Sequence, residues 1–282
     1  MQSISRRDMM AIINSGSHGL TPGCVFLRFL LLTTLVTGIG FAEVARGNGP
    51  SGKMKETTAR MQEKYVDAQK RYLALPGDTE AAWQFARACF ERAEFATNNF
   101  ERATLAEQGI TPCREQLARG VRIAPVHYYL AMNLGQLART KTLGALKIVD
   151  EMEREFKMAR AHDERLDYAG PDRSLGLLYL EAPRIGSIGS RSKARQHLQK
   201  AVELAPDYPE NRLNFAEAFL KWTDHHYAKR ELKALDELLP KARAEFAGPD
   251  WEGFWLDWDV RLLRLRKSID EHTRAEAARK RG

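Results

Sequence analysis

From residue 54 onward, apolar residues recur at three- and four-residue spacing, the period of a helix that buries one face. The pattern is interrupted at Pro76-Gly77, Gly109–Pro112, Pro125, Gly170-Pro171, Pro183–Gly189, Pro206, Pro240 and Gly248-Pro249. Proline removes a backbone donor and restricts the residue before it, so each of these points is expected to start or end a helix. The segments between them have ordinary helix lengths, and the spacing predicts about ten helices joined by short turns. No Asn-Gly turn sits between alternating apolar runs, and no Val/Ile/Thr-rich stretch has strand length, so an all-α fold is expected. The last stripe is the longest. Trp251, Phe254, Trp255, Trp258, Leu262, Leu265 and Ile269 share one face, and Glu252, Asp257, Asp259, Arg264 and Lys267 give the opposite side its polarity. This predicts a helix that covers the end of the fold over 246–272, with Asp250 as its cap. The basic stretch 273–282 is expected to have no structure of its own. The rival reading of the stripe is a contact between copies of the chain, because aromatics are enriched in interface cores.

Two segments repeat each other. Ala194, Leu198, Ala201 and Pro206 have the same spacing as Ala228, Leu232, Leu235 and Pro240, and the two prolines lie 34 residues apart. Cys113, Leu117, Gly120 and Pro125 repeat the spacing once more. Each such helix has a predecessor, marked by Trp83, Ala86 and Phe90, by Leu134-Gly135, by Leu175-Gly176 with Tyr179, and by Phe215-Ala216. Over roughly residues 79–245 the chain resembles the tetratricopeptide repeat (TPR) family. The resemblance implies a solenoid of helical hairpins preceded by an N-terminal helix over 54–78. Gly135, Gly176 and Ala216 would let paired helices approach, Ala194 and Ala228 would supply the matching small surface, and Pro206 and Pro240 would end second helices. Units 172–206 and 209–240 match well, 79–125 carries an insertion, and 127–160 has a weak second helix. A narrower likeness rests on Gly170-Pro171-Asp172-Arg173-Ser174-Leu175-Gly176-Leu177-Leu178-Tyr179-Leu180-Glu181-Ala182-Pro183. This looks like the T-component family of tripartite ATP-independent periplasmic (TRAP) transporters, and implies an exported, oligomer-forming protein that associates with a solute-binding subunit. The chain departs from an anchored lipoprotein in having no lipobox cysteine at the end of its apolar leader segment.

That leader occupies residues 1–42. Arg28 precedes the apolar run Phe29–Gly40, and small residues follow at Gly40 and Ala42 around Phe41. This is the layout of a secretory signal, with cleavage expected after Ala42 and a periplasmic or secreted product. The alternative is an uncleaved single-pass anchor, for which the run is short against the ~20 residues a spanning helix needs. After removal of the leader no stable membrane span is expected. Ser5-Arg6-Arg7 is placed too far from the apolar run for a twin-arginine signal, and Met9 or Met10 are alternative starts. Residues 43–53 read as a flexible linker. Two cysteines remain beyond the leader, Cys89 and Cys113, and a disulfide or two buried thiols are both compatible with their apolar helical settings.

The chain has 282 residues, 44% hydrophobic and 29% charged, with a mean hydropathy of −0.46. These values exclude a polytopic channel, a collagen-like fibre and a disulfide-built miniprotein. The net charge is +7, of which the leader supplies +2. Both signs are interspersed along the helices, so the excess describes a solvated surface and no nucleic-acid partner is expected.

Nothing in the chain has the spacing of an active site. His225-His226 are adjacent and point about 100° apart on a helix, which does not chelate one ion, and His162 lacks the second histidine of a zinc-protease helix. No nucleophile elbow, P-loop or dinucleotide fingerprint occurs. Gly186–Ser190 is a small-residue loop before a helix, able to face an anion but read as a plain loop with Ser190 as N-cap. Glu151 and Glu155 belong to a solvated helix face. The chain is expected to be a non-enzyme, with no cofactor and no metal, that binds a protein or peptide. In stacked helix pairs the first helix of each pair lines the concave face. Repeat spacing puts Tyr129, Met132, Gln136 and Arg139 there, then Arg173 and Leu177, then Leu213 and Glu217, with Gln84, Glu91, Leu180 and Leu220 beside them. Arg139 and Arg173 are expected to be exposed to an anionic partner.

Overall fold

A computed structural model describes residues 52–141 and 144–280. The expected signal segment and nearly all of the expected linker lie outside the described residues. Ten α-helices follow one another: α1 Gly52–Ala74, α2 Thr79–Glu94, α3 Asn99–Ala118, α4 Ala124–Ala138, α5 Ala145–His162, α6 Leu166–Glu181, α7 Arg191–Leu204, α8 Pro209–Lys221, α9 His225–Glu245 and α10 Glu252–Arg279, with a 3-10 turn over Pro249–Trp251 before the last. No strand occurs among the described residues. The fold is a TPR-like solenoid of helical hairpins, α2/α3, α4/α5, α6/α7 and α8/α9, stacked in chain order.

The sequence sets these boundaries locally. Asp78, Asn98 and Ser190 accept backbone hydrogen bonds three residues on, which satisfies donors that the first turn leaves open. Pro125 and Pro209 sit in first turns, where no N–H is needed. The repeated small and branched positions then meet inside each hairpin: Ala194, Leu198, Ala201, Ala228 and Leu235 are all buried. Gly176 is a point of close approach between the two helices of the third hairpin. A Cβ there would stand 2.7 Å from Leu198 Cγ and 3.0 Å from the Leu198 backbone nitrogen.

Several expected breaks are not breaks. α3 runs through Gly109–Pro112, because Gly109 lies against the buried Asn133 side chain and Pro112 packs in the core, so tertiary contact holds the helix together. The apparent insertion in unit 79–125 is this longer helix. α9 runs through Pro240 to Glu245. Ala242 and Phe246 beyond it are buried, and that burial offsets the broken ladder. The second helix of 127–160 is regular, with Val149, Met152, Phe156 and Ala159 on one buried face. Asp250 does not cap α10. It pairs instead with Lys64 at 2.7 Å. The helix also continues past residue 272, its last turns carried by alanines and by a Lys280–Glu276 pair at 2.6 Å. Cys89 and Cys113 are free thiols in the core, and burial pushes both up from the ordinary thiol range.

α6 has an unusual start. Asp167, Tyr168 and Ala169 all take left-handed backbone angles, φ 52°, 55° and 62°, which cost L-residues roughly 1–2 kcal/mol each. Arg173 holds the turn. Its guanidinium donates to the Tyr168 carbonyl at 2.9 Å, to the Asp167 carbonyl at 3.0 Å and to the Asp167 carboxylate at 2.8 Å. Asn211 of α8 donates to the same Tyr168 carbonyl at 3.0 Å. The turn presents Tyr168 to stack on Tyr208 at 4.5 Å, and Trp251 and Phe246 close over the pair edge-on.

The two ends of the described chain meet. α10 packs on α8 and α9 and also reaches α1. Its tryptophans 255 and 258, and Trp251 just before it, are buried within the chain, so the stripe covers the last repeat. Arg261 fastens it to α8, at 2.6 Å from Glu217, 2.5 Å from Asn214 and 3.6 Å from Glu210. Arg60 then bonds Glu252 at 2.5 Å and Lys64 bonds Asp250, joining α1 to the start of α10.

Candidate functional site

Where the ends meet they leave a cleft of about 380 Å³, between the start of α1, the last turns of α2 and α4, and the first half of α10. At its base is Glu94, the final residue of α2. Its carboxylate accepts from Gln136, on the last turn of α4, and at 3.2 Å from Arg139 just beyond that turn. Burial raises the Glu94 carboxyl to about 7, and the Arg139 charge opposes that shift without cancelling it. Met54, 39% exposed, and Val260, 47% exposed, form an apolar rim, continued outward by Leu263 at 69%. Arg264 projects at the same edge, exposed and, among the described residues, with no carboxylate within ion-pair distance. The cleft thus offers an apolar shelf, the Glu94 carboxyl balanced near neutrality, an Asp257 carboxylate engaged by Arg261 at 3.2 Å, and the unpaired Arg264 guanidinium. Its lining holds no histidine, serine or cysteine among the described residues.

The expected concave-face residues divide in two. Gln136 and Arg139 come together at this cleft. The others are taken up by the protein itself. Tyr129 is buried in a stack on Trp83 at 5.8 Å. Met132 is buried beneath Ser174, and Leu177 and Leu213 lie in the core shared with α10. Glu217 is engaged by Arg261. Arg173, expected to be exposed, is 0% exposed, because its donors are consumed by the left-handed turn and by Asn211 Oδ1 at 3.1 Å. α10, the turn before α6 and neighbouring hairpins thus cover or engage these side chains.

Three participants had no sequence signal of their own. Glu94 looks like any helix-terminal acid. Met54 stands only at the edge of a linker. Arg261 is visible as an i, i+4 partner of Asp257, 3.2 Å away, but its main partners lie more than forty residues back in the chain. Glu155, expected on a solvated face, instead meets the buried His127 Nδ1 at 2.6 Å. Among the described residues no group of three or more His, Cys, Asp or Glu side chains is arranged to hold a metal, and no helix is long and apolar enough to cross a membrane.

No protein-family model matches the chain, and no curated protein matches it in sequence. In structure it is similar to a thermophilic TPR protein of Thermus thermophilus, with a TM-score of 0.56 and 20% identity. The likeness covers 75% of this chain and 93% of that one. At that identity it concerns the fold.

Proposed function

We propose that this TPR-like protein is an interaction scaffold that receives a partner segment in the cleft between its joined ends. The carrying observation is the pairing of an apolar rim with an unneutralised Arg264. Elsewhere along the concave side, inward-facing groups are already bonded within the chain, whereas here a shelf and a cation remain unused. Charge complementarity selects the occupant: an extended segment with an apolar side chain for the Met54–Val260 shelf next to an acidic one for Arg264. The leader with Gly40-Phe41-Ala42 supports export to the periplasm. The Gly170–Pro183 motif supports service to a TRAP-type transporter, with the solute-binding subunit as the protein that carries the segment. Nothing in the cleft favours an enzymatic role.

The reading is tested by photo-crosslinking in cells. A benzoylphenylalanine replacing Val260 should trap one predominant partner, the solute-binding subunit, and Arg264→Glu should reduce that adduct severalfold. The same probe at exposed Phe100, on the first turn of α3, should not trap it. Equal trapping at both positions, or none at residue 260, would remove the cleft as the site.

A further inference from the structure

A second concavity lies between the end of α5, the start of α6, the 183–190 loop and α7, with a volume of about 980 Å³. It is basic. Arg160, Arg184, Arg191, Arg195 and Lys200 line it, against Asp172 and Glu203. Among the described residues Arg184 and Arg195 have no carboxylate within ion-pair distance, and the Arg195 guanidinium is held over the Tyr227 ring at 5.2 Å and the Phe219 ring at 5.5 Å. Arg191 has a long contact to Asp224, 3.9 Å, and lies over the Trp222 ring at 5.1 Å, and the ion pair of Lys200 with Glu164 is also long, 3.9 Å. The charge here is therefore left largely available.

Beneath it is a buried device. Asp172 is 0% exposed, and its two oxygens accept separately from Arg160 Nε at 2.9 Å and from His197 Nδ1 at 2.6 Å. The His197 ring is also stacked on Tyr179 at 5.5 Å, and Lys193 lies over the other partner of that stack, 4.9 Å from the Tyr179 ring. With Nδ1 committed to Asp172 and the plane fixed by Tyr179, Nε2 is the ring atom left for the cleft, and it makes no hydrogen bond within the described protein. The start of α7 opens at the same place, where the Ser190 side chain already serves the Lys193 N–H and the backbone begins the helix.

We infer that this cleft binds a small molecule bearing phosphate groups, held by Arg184 and Arg195, with His197 Nε2 as a positioned hydrogen-bonding partner. The Arg195 guanidinium, oriented by the Tyr227 and Phe219 rings, and the exposed, unpaired Arg184 supply the forked donors that match phosphate oxygens. The imidazole distinguishes phosphate from carboxylate. Neutral Nε2 accepts, and a phosphate can present a P–OH to it at the pH where a carboxylate presents only lone pairs; protonated Nε2 donates to either. Asp172 touches no ligand in this arrangement. It neutralises and aims Arg160 and His197, which makes it a positioning residue. The volume matches sites for small organic ligands.

Calorimetric titration of the full mature chain with inorganic pyrophosphate, with citrate at equal ionic strength as the carboxylate control, tests this. One saturable site is expected for pyrophosphate, with citrate at least tenfold weaker. Arg184→Ser with Arg195→Ser should weaken pyrophosphate at least tenfold while the unliganded melting temperature stays within a few degrees, since both residues are exposed. His197→Gln should bring citrate and pyrophosphate closer together in affinity, a change in preference that a purely structural histidine would not produce. The absence of saturable binding, citrate binding as tightly as pyrophosphate, or undiminished binding by the double serine variant would each overturn the assignment. A phosphoserine heptapeptide binding tenfold more tightly than pyrophosphate would overturn the small-molecule class.

Discussion

Arg173 bonds Asp167 twice, through the carboxylate at 2.8 Å and through the backbone carbonyl at 3.0 Å, with the guanidinium wholly out of solvent. One side chain therefore supplies both the charge that Asp167 needs in the interior and the donors that the carbonyls of two of the three left-handed residues, Asp167 and Tyr168, accept. Replacing it breaks a buried pair from one side, which is far more damaging than never having had the pair. Arg173→Met should cost about 3–5 kcal/mol, read as a shift in the urea midpoint. Arg173→Lys should recover only part of that loss, because an ammonium cannot reach two carbonyls and a carboxylate in one fork. A variant as stable as the parent would show that the turn holds itself.

Gly176 tests the hairpin register. With Leu198 Cγ 2.7 Å from the place of a Cβ, Gly176→Leu should overpack by about 1–3 kcal/mol. Leu198→Ala in the same chain should relieve part of that, leaving the portion due to the backbone nitrogen at 3.0 Å. Additivity of the two substitutions in a thermal-melt cycle would place these residues apart.

These two residues also separate what could be read in the sequence from what could not. Gly176 stands in a repeated spacing, and its role follows from the spacing alone: a small residue where helices cross. Arg173 stands three residues earlier in the same helix, and the spacing predicts an exposed position for it on the concave face, whereas it is buried. What spacing does not contain is the occupant of that face. Asn211 and Asp167 reach Arg173 from positions fixed only after the chain has folded, and the left-handed turn has no glycine to announce it. Pro240 is a similar case. Its local rule predicts a helix end, and the rule loses to the burial of Ala242 and Phe246, whose apolar partners come from distant segments. The hairpins were legible because they repeat. The cleft was only half legible, since Gln136 and Arg139 belong to a repeat helix but Met54, Glu94 and Val260 meet through the joining of chain ends.

Stability should fall as pH rises from about 4.5 to about 7. Burial raises both Glu94 and Glu210 to about 7, above the ordinary carboxyl value of 4.5. Between those values the folded chain binds protons that the unfolded chain has released, so the stabilisation is complete below about 4.5 and lost by the time the folded groups ionise. Urea midpoints measured across this window should decline with pH, and Glu94→Gln with Glu210→Gln should flatten the decline. An equally steep decline in the double variant would assign it to other groups.

Removing residues 250–282 uncovers Tyr208, Phe246 and the rest of the apolar face against which Trp251, Trp258, Leu262 and Leu265 pack. Such a face should drive association, so the truncated chain should aggregate or lose cooperative melting. A soluble monomer with an undiminished transition would mean that the last repeat closes without α10.

The bonds of Arg60 to Glu252 and of Lys64 to Asp250 have a mechanical meaning. A stack of helical hairpins with free ends behaves as a spring, because each unit touches only its neighbours and small rotations add along the axis. Once the first coil is hooked to the last, those rotations can no longer accumulate in one direction, and the body resists stretching as a clasped bracelet does. The hooks are two half-exposed ion pairs, which salt weakens. Pulled from its ends in an optical trap, the molecule should therefore stay stiff up to a release force that falls with ionic strength, and only then extend as a compliant coil.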